Sequence, residues 1–156
     1  MRCARAWNIR DAAAWPHDMN RLRVLLAVVL AAGAFATHAQ DKACTKPDSA
    51  AAEKALDRVV TWSQLQKAWQ DYRQCDTGNV DDLFTDALMR MLVEWKSPDA
   101  LANSMNADPA YAAFVLKHIK SPSAKDDRES VYSRAKQSCP ANLAAFCEKI
   151  AEASKP

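Results

Sequence analysis

Thr61–Trp95 reads TWSQLQKAWQDYRQCDTGNVDDLFTDALMRMLVEW, and this stretch decides the fold. Thr61-Trp62-Ser63-Gln64 is a capping box, in which the Thr and Gln side chains satisfy backbone N–H groups left free at a helix start. The helix it opens carries Trp62, Leu65, Ala68, Trp69 and Tyr72 on one face and runs to about Gln74. Asp76-Thr77-Gly78-Asn79 then makes a turn, and Asn79 caps a second helix over 80–95. Asp81 and Asp82 fall in its first turn, where the helix dipole favours negative charge. Leu83, Phe84, Ala87, Leu88, Met91, Leu92 and Trp95 form its broad apolar face. Apolar residues recur at helical spacing throughout, and nothing in the stretch alternates as a strand would.

The same punctuation extends in both directions. Upstream, Ser49 opens a helix over 50–60. Downstream, Ser97-Pro98 and Asp108-Pro109 each pair a capping residue with proline at the first helical position, where its missing N–H costs nothing. They open helices near 98–106 and 109–120, the second contributing Tyr111, Phe114, Val115 and Ile119 to the core. A further helix spans about 124–138, and Asn142 caps a last one to about Ser154, with Leu143, Phe146 and Ile150 inward. The fold class is all-α: a compact bundle of six to seven short helices in one domain over 40–156, without internal repeats or low-complexity linkers.

The segment before this domain reads as an export signal. Met19-Asn20-Arg21-Leu22-Arg23 is a short basic start, Val24 to Phe35 is apolar, and Thr37-His38-Ala39 offers small residues at −3 and −1 before Gln40. That order is a secretory signal peptide over 19–39. Residues 1–18 carry three Arg, two Asp and two Trp, unlike the start of a signal, so Met19 is the better translation start and 1–18 an extension upstream of it. The apolar stretch is shorter than the roughly 20 residues a bilayer span needs, so no stable membrane anchor is expected after cleavage. No cysteine directly follows it as a lipoprotein would require, because Asp41-Lys42-Ala43 precedes Cys44. The expected destination is the periplasm or the exterior.

Removing 1–39 changes the charge balance. The chain has 21 Lys+Arg and 19 Asp+Glu; 5 and 2 of these precede residue 40, leaving 16 against 17. A formal charge of −1 gives no electrostatic case for nucleic acid.

Cys3 lies in the removed segment, leaving Cys44, Cys75, Cys139 and Cys147. Four cysteines in a small exported chain imply two disulfides in one of three connectivities. Cys44 precedes the first helix and Cys75 follows the second, so an antiparallel hairpin brings both to one end and favours Cys44–Cys75. Cys139–Cys147 follows by elimination. An unbroken helix would hold these two about 12 Å apart, but Pro140 disfavours helix at Cys139 and Asn142 restarts it later. There is no Cys-x-x-Cys, and spacings of 31, 64 and 8 do not suit a four-cysteine zinc site.

Catalytic patterns are missing from the sequence. His17 and His38 leave with the signal region, so His118 is the one histidine of the mature domain and cannot build a multi-histidine metal site. It sits near a helix end, three or four residues from Phe114 and Val115, where a structural or surface role is the plain reading. There is no nucleophile elbow, phosphate loop or His-Glu-x-x-His helix, and no cofactor, metal or catalytic residue is assigned.

Asp76, Asp81, Asp82 and Asp86 are the densest carboxylate group; helix capping and solvated surface is the commoner reading, and they are candidate partner contacts or a weak cation site. Trp62, Trp69, Met91 and Trp95 are candidate walls of an apolar pocket, set against the commoner reading as core. No motif assigns a family. In size, compartment and architecture the chain is similar to exported helical immunity proteins that neutralise toxins in the bacterial envelope. The expected function is therefore a non-enzymatic periplasmic protein that binds another protein, as an inhibitor or immunity factor. The alternatives are a small apolar-ligand carrier and an enzyme that uses a carboxylate with His118.

Overall fold

Seven α-helices, joined by tight turns, surround one core in a computed structural model that describes residues 43–156. The expected signal segment and the upstream extension lie outside the described residues. In chain order the helices are α1 (Lys46–Leu56), α2 (Trp62–Tyr72), α3 (Gly78–Val93), α4 (Pro98–Ala107), α5 (Pro109–Ile119), α6 (Arg128–Gln137) and α7 (Ala144–Ala153). Single 3₁₀ turns at Arg73–Cys75, Pro122–Ala124 and Ala141–Leu143 lead into or out of them. Among the described residues there is no strand, and no helix is long and apolar enough to cross a membrane.

The longest helix, α3, is the axis of the fold. It packs against α1, α5, α6 and the Pro122–Ala124 turn. Val80, Phe84, Ala87, Leu88, Met91 and Leu92 are buried on it, and Leu83 is half-buried. Its apolar surface is therefore wider than one stripe, as a helix covered from several sides requires. Both disulfides form as expected. Cys44–Cys75 closes the α1–α2 hairpin with a Cα–Cα distance of 4.8 Å, and Cys139–Cys147 ties the end of α6 to α7 at 6.0 Å.

Several helix ends differ from the sequence expectation, each for a local reason. α1 starts a turn earlier than Ser49, because Thr45 and Asp48 form their own capping box. It ends at Leu56, and the Val60 N–H is given to the Gln64 side chain at 3.0 Å instead of to a helix. The capping box at Thr61 and Gln64 forms as expected, although α2 gives way to the 3₁₀ turn before Gln74. Asn79 is not a cap: Thr77 takes that position, Gly78 is the first helical residue at φ +54°, and Asn79 Nδ2 donates to Glu53 Oε1. A left-handed φ at Gly78 disfavours any side chain there, although the space around it is open.

α3 stops at Val93 because Trp95 adopts φ +55° in a Schellman closure. The Trp95 N–H bonds to the Leu92 carbonyl and the Lys96 N–H to the Met91 carbonyl. Glycine usually takes that position. Tryptophan holds it here through its ring beside Phe146 and its indole N–H on the Ser138 carbonyl. Ser97 is likewise left-handed and makes no side-chain cap, whereas Asp108 caps α5 by accepting from Ala110 and Tyr111. α6 starts at Arg128, not 124, since Pro122–Ala124 is spent on a 3₁₀ turn, and Asn142 lies inside another such turn rather than capping α7.

Candidate functional site

The most chemically loaded point of the fold lies where the turn before α3 meets the end of α5. The Arg73–Cys75 turn, tied to Cys44, presents Asp76 at its end. Asp81 and Thr85 follow one helical turn apart on α3, and Lys117 and His118 arrive from the last turn of α5. His118 has no exposed surface, and Thr85 is 1 % exposed. The imidazole sits against the rings of Phe114, 4.4 Å between centroids, and Phe84, 5.9 Å.

Hydrogen bonds orient this ring. Thr85 Oγ1 donates its single proton to the Asp81 backbone carbonyl at 3.0 Å and lies 2.7 Å from His118 Nδ1. With that proton committed, the hydroxyl accepts from Nδ1–H. On the other side, Nε2 is 3.2 Å from Asp76 Oδ1, and neither atom has an aligned hydrogen-bond partner. The outer rim is closed by Lys117, whose Nζ bridges Asp76 Oδ2 at 2.8 Å and Asp81 Oδ1 at 2.7 Å.

Burial works to raise the Asp76 carboxyl, but His118 and Lys117 beside it outweigh that and hold it below the usual carboxylate range. Burial would lower the Lys117 ammonium, and the two carboxylates outweigh it in turn and raise it. Asp76 thus contributes stability that is fully present above the ordinary carboxylate range and lost as pH falls through its depressed value. In buffer free of divalent cations, urea unfolding should show stability falling with acid through that window, and Asp76→Asn should flatten the slope. An unchanged slope in the variant would remove Asp76 as its source.

The four candidate contact carboxylates are all engaged within the chain. Asp76 and Asp81 hold Lys117, Asp82 accepts a short hydrogen bond from Ser123, and Asp86 pairs with Arg90. Asp76 fastens the turn before α3 to α5, Asp81 fastens α3 to α5, and Asp82 fastens α3 to the Pro122–Ala124 turn. Of the candidate pocket residues, Trp62, Trp69 and Met91 are buried and Trp95 is half-buried. Trp69 packs on Tyr111 and Phe114, whereas Trp95 packs on Phe146. Trp62 donates its indole N–H to the Lys96 carbonyl. None of the four lines the grooves described here.

An apolar groove opens elsewhere, between α4, α5 and α7. Met105, Ala112, Leu116, Leu143 and Phe146 line a volume of about 220 Å³, edged by Asn106, Asn142 and Lys149. A shallower depression over Leu116, Lys120, Ala145 and Glu152 continues it along α7. The sequence reading named Leu143 and Phe146 as core and did not find this surface.

Comparison of the chain with protein-family models, with curated proteins and with solved structures finds no match. The two disulfides fit a chain that folds outside the reducing cytoplasm.

Proposed function

We propose that this chain is an exported protein that acts by binding another protein in the cell envelope, as an inhibitor or toxin-immunity factor. The observation that carries the reading is the groove between α4, α5 and α7. The groove holds only about 220 Å³, below the roughly 300–1,000 Å³ of sites that enclose a whole small ligand. The depression of about 540 Å³ that continues it is open to solvent rather than enclosing. The groove suits one inserted apolar side chain, the way a protein partner anchors itself, and its Asn and Lys edges match the polar rim of such an interface. A rigid, doubly cross-linked scaffold supports the same reading, because little ordering cost remains when a partner docks.

The test is native mass spectrometry of the protein purified gently from the periplasm of its host, alongside an Ala145→Arg variant. Ala145 is exposed on the groove's edge, so the new side chain fills the groove without entering the core. The expected result is a co-purifying protein whose affinity drops at least tenfold in the variant, with an unchanged melting temperature. A bound apolar small molecule in place of a protein would overturn the reading in favour of a carrier. A partner held equally by both forms would move the interface away from the groove.

A further inference from the structure

We infer that Asp76, Asp81 and His118 form a site for a divalent transition-metal ion of the zinc class. The buried half of the cluster points to it. Thr85 gives its proton to the Asp81 carbonyl and accepts from His118 Nδ1–H, so in the neutral imidazole Nε2 carries the lone pair. That lone pair sits 3.2 Å from a carboxylate oxygen, in a region shielded from water, with no hydrogen-bond partner on either atom. When Nε2 is protonated the ring pairs with the Asp76 carboxylate, and a metal ion would take that proton's place on the lone pair. The contact is close, but it is poorly aligned for a hydrogen bond. Two ligands converging on a third point would show this offset instead.

The dimensions suit the His118–Asp76 pair, with Asp81 still to close in. With Zn–N and Zn–O bonds near 2.0–2.2 Å at a tetrahedral angle, neighbouring ligand atoms stand about 3.3 Å apart. One ligand atom from each of Asp76, Asp81 and His118 lies within 4.8 Å of the others. The second shell is of the kind that metal-binding histidines use, since the Nδ1–H to Thr85 bond fixes the ring and leaves Nε2 as the ligand. Two carboxylates neutralise a divalent charge, and the mixture of one nitrogen and two oxygens favours zinc over calcium or magnesium.

Lys117 is the competitor. Its ammonium bridges the outer oxygens of both carboxylates, where it supplies the positive charge that a metal would bring. Its side chain is 52 % exposed, so it can swing into solvent as the ion enters and Asp81 closes on it. Removing that ammonium should unmask the site.

Chelator-treated, disulfide-bonded protein and its Lys117→Ala variant would be titrated with Zn²⁺ by calorimetry. Thermal unfolding and ¹⁵N NMR of the imidazole would be followed in parallel. The expected result is a one-to-one complex at least tenfold tighter in Lys117→Ala, a melting temperature raised by several degrees, and a shift at Nε2 with Nδ1–H retained. Asp81→Asn, which touches only the exposed edge of the cluster, should weaken binding at least tenfold while the protein stays folded. If folded Lys117→Ala shows no change in melting temperature or in the Nε2 signal at millimolar Zn²⁺, the site does not exist. Zinc binding that leaves Nε2 unmoved, or that Asp81→Asn does not weaken, would overturn the assignment equally.

Discussion

Replacing Cys44 and Cys75 together by alanine should cost this protein about 3–4 kcal/mol, and replacing Cys139 and Cys147 about 2.5 kcal/mol. Both figures follow from the loop each bridge closes in the unfolded chain, 31 residues against 8. Against the total of about 5–15 kcal/mol typical of a domain, either loss is large and both together leave little folded protein at 37 °C. The native environment widens the difference. Cys75 is 1 % exposed and directly precedes Asp76, so losing its bridge also loosens the anchor of the buried His118 cluster. Cys147 is 4 % exposed and Cys139 half-buried, so burial alone does not separate the two bridges; Cys139, however, sits beside a proline that already restricts the chain. Urea unfolding of the two double variants, followed by circular dichroism, would check the order. Equal losses, or a larger loss for the short loop, would mean that local packing and not chain entropy governs these bridges.

That pairing was legible before the structure because it rests on simple reach. Helix length and antiparallel return put Cys44 near Cys75, and Pro140 made the short loop feasible. Helix identity was equally legible, since period and punctuation agree from Thr61 to Phe146. What failed were choices among equivalent signals. Thr45-Lys46-Pro47-Asp48 and Ser49 are both plausible starts for α1, and only the first allows reciprocal bonding with its third residue. Asn79 resembles a cap, but Gly78 can take a left-handed φ one residue earlier and release the asparagine to Glu53. Trp95 in a position glycine usually fills could not be foreseen, because the ring and carbonyl that hold it, Phe146 and Ser138, lie more than 40 residues on.

The candidate site shows the same limit more sharply. Asp76, Asp81 and His118 each stood out in the sequence, but for unrelated reasons: two as part of an acidic turn and one as a solitary histidine. Their meeting depends on α5 packing across α3, which no local spacing encodes. Thr85 and Lys117 gave no signal at all. The one available clue was that His118 lies four residues after Phe114, on the same helical face as a core aromatic. That spacing fits an inward imidazole, although the sequence alone left a surface role equally open, and an inward histidine must find polar partners there.

His118→Ala should be among the more damaging single substitutions, costing about 3–5 kcal/mol. Its ring fills space against Phe84 and Phe114 with no exposed surface, so truncation leaves a cavity of the kind that large-to-alanine changes make in close-packed cores. The polar loss adds to it, because Thr85 Oγ1 loses its donor and the inner oxygen of Asp76 faces an empty, water-poor space. His118→Phe separates these two terms. It restores the ring and the aromatic contacts but offers nothing to Asp76, so it should recover part of the loss and remain about 1–3 kcal/mol below wild type. Adding Asp76→Ala to each variant completes the argument: residues in one network couple by roughly 0.5–3 kcal/mol, so the second substitution should cost less once the histidine is gone. Equilibrium urea unfolding gives all the terms. Strict additivity, or a loss below about 1 kcal/mol for His118→Ala, would show that the ring only fills space. Coupling of the expected size would show that the disulfide-tied turn, α3 and α5 are held in register through this one buried imidazole.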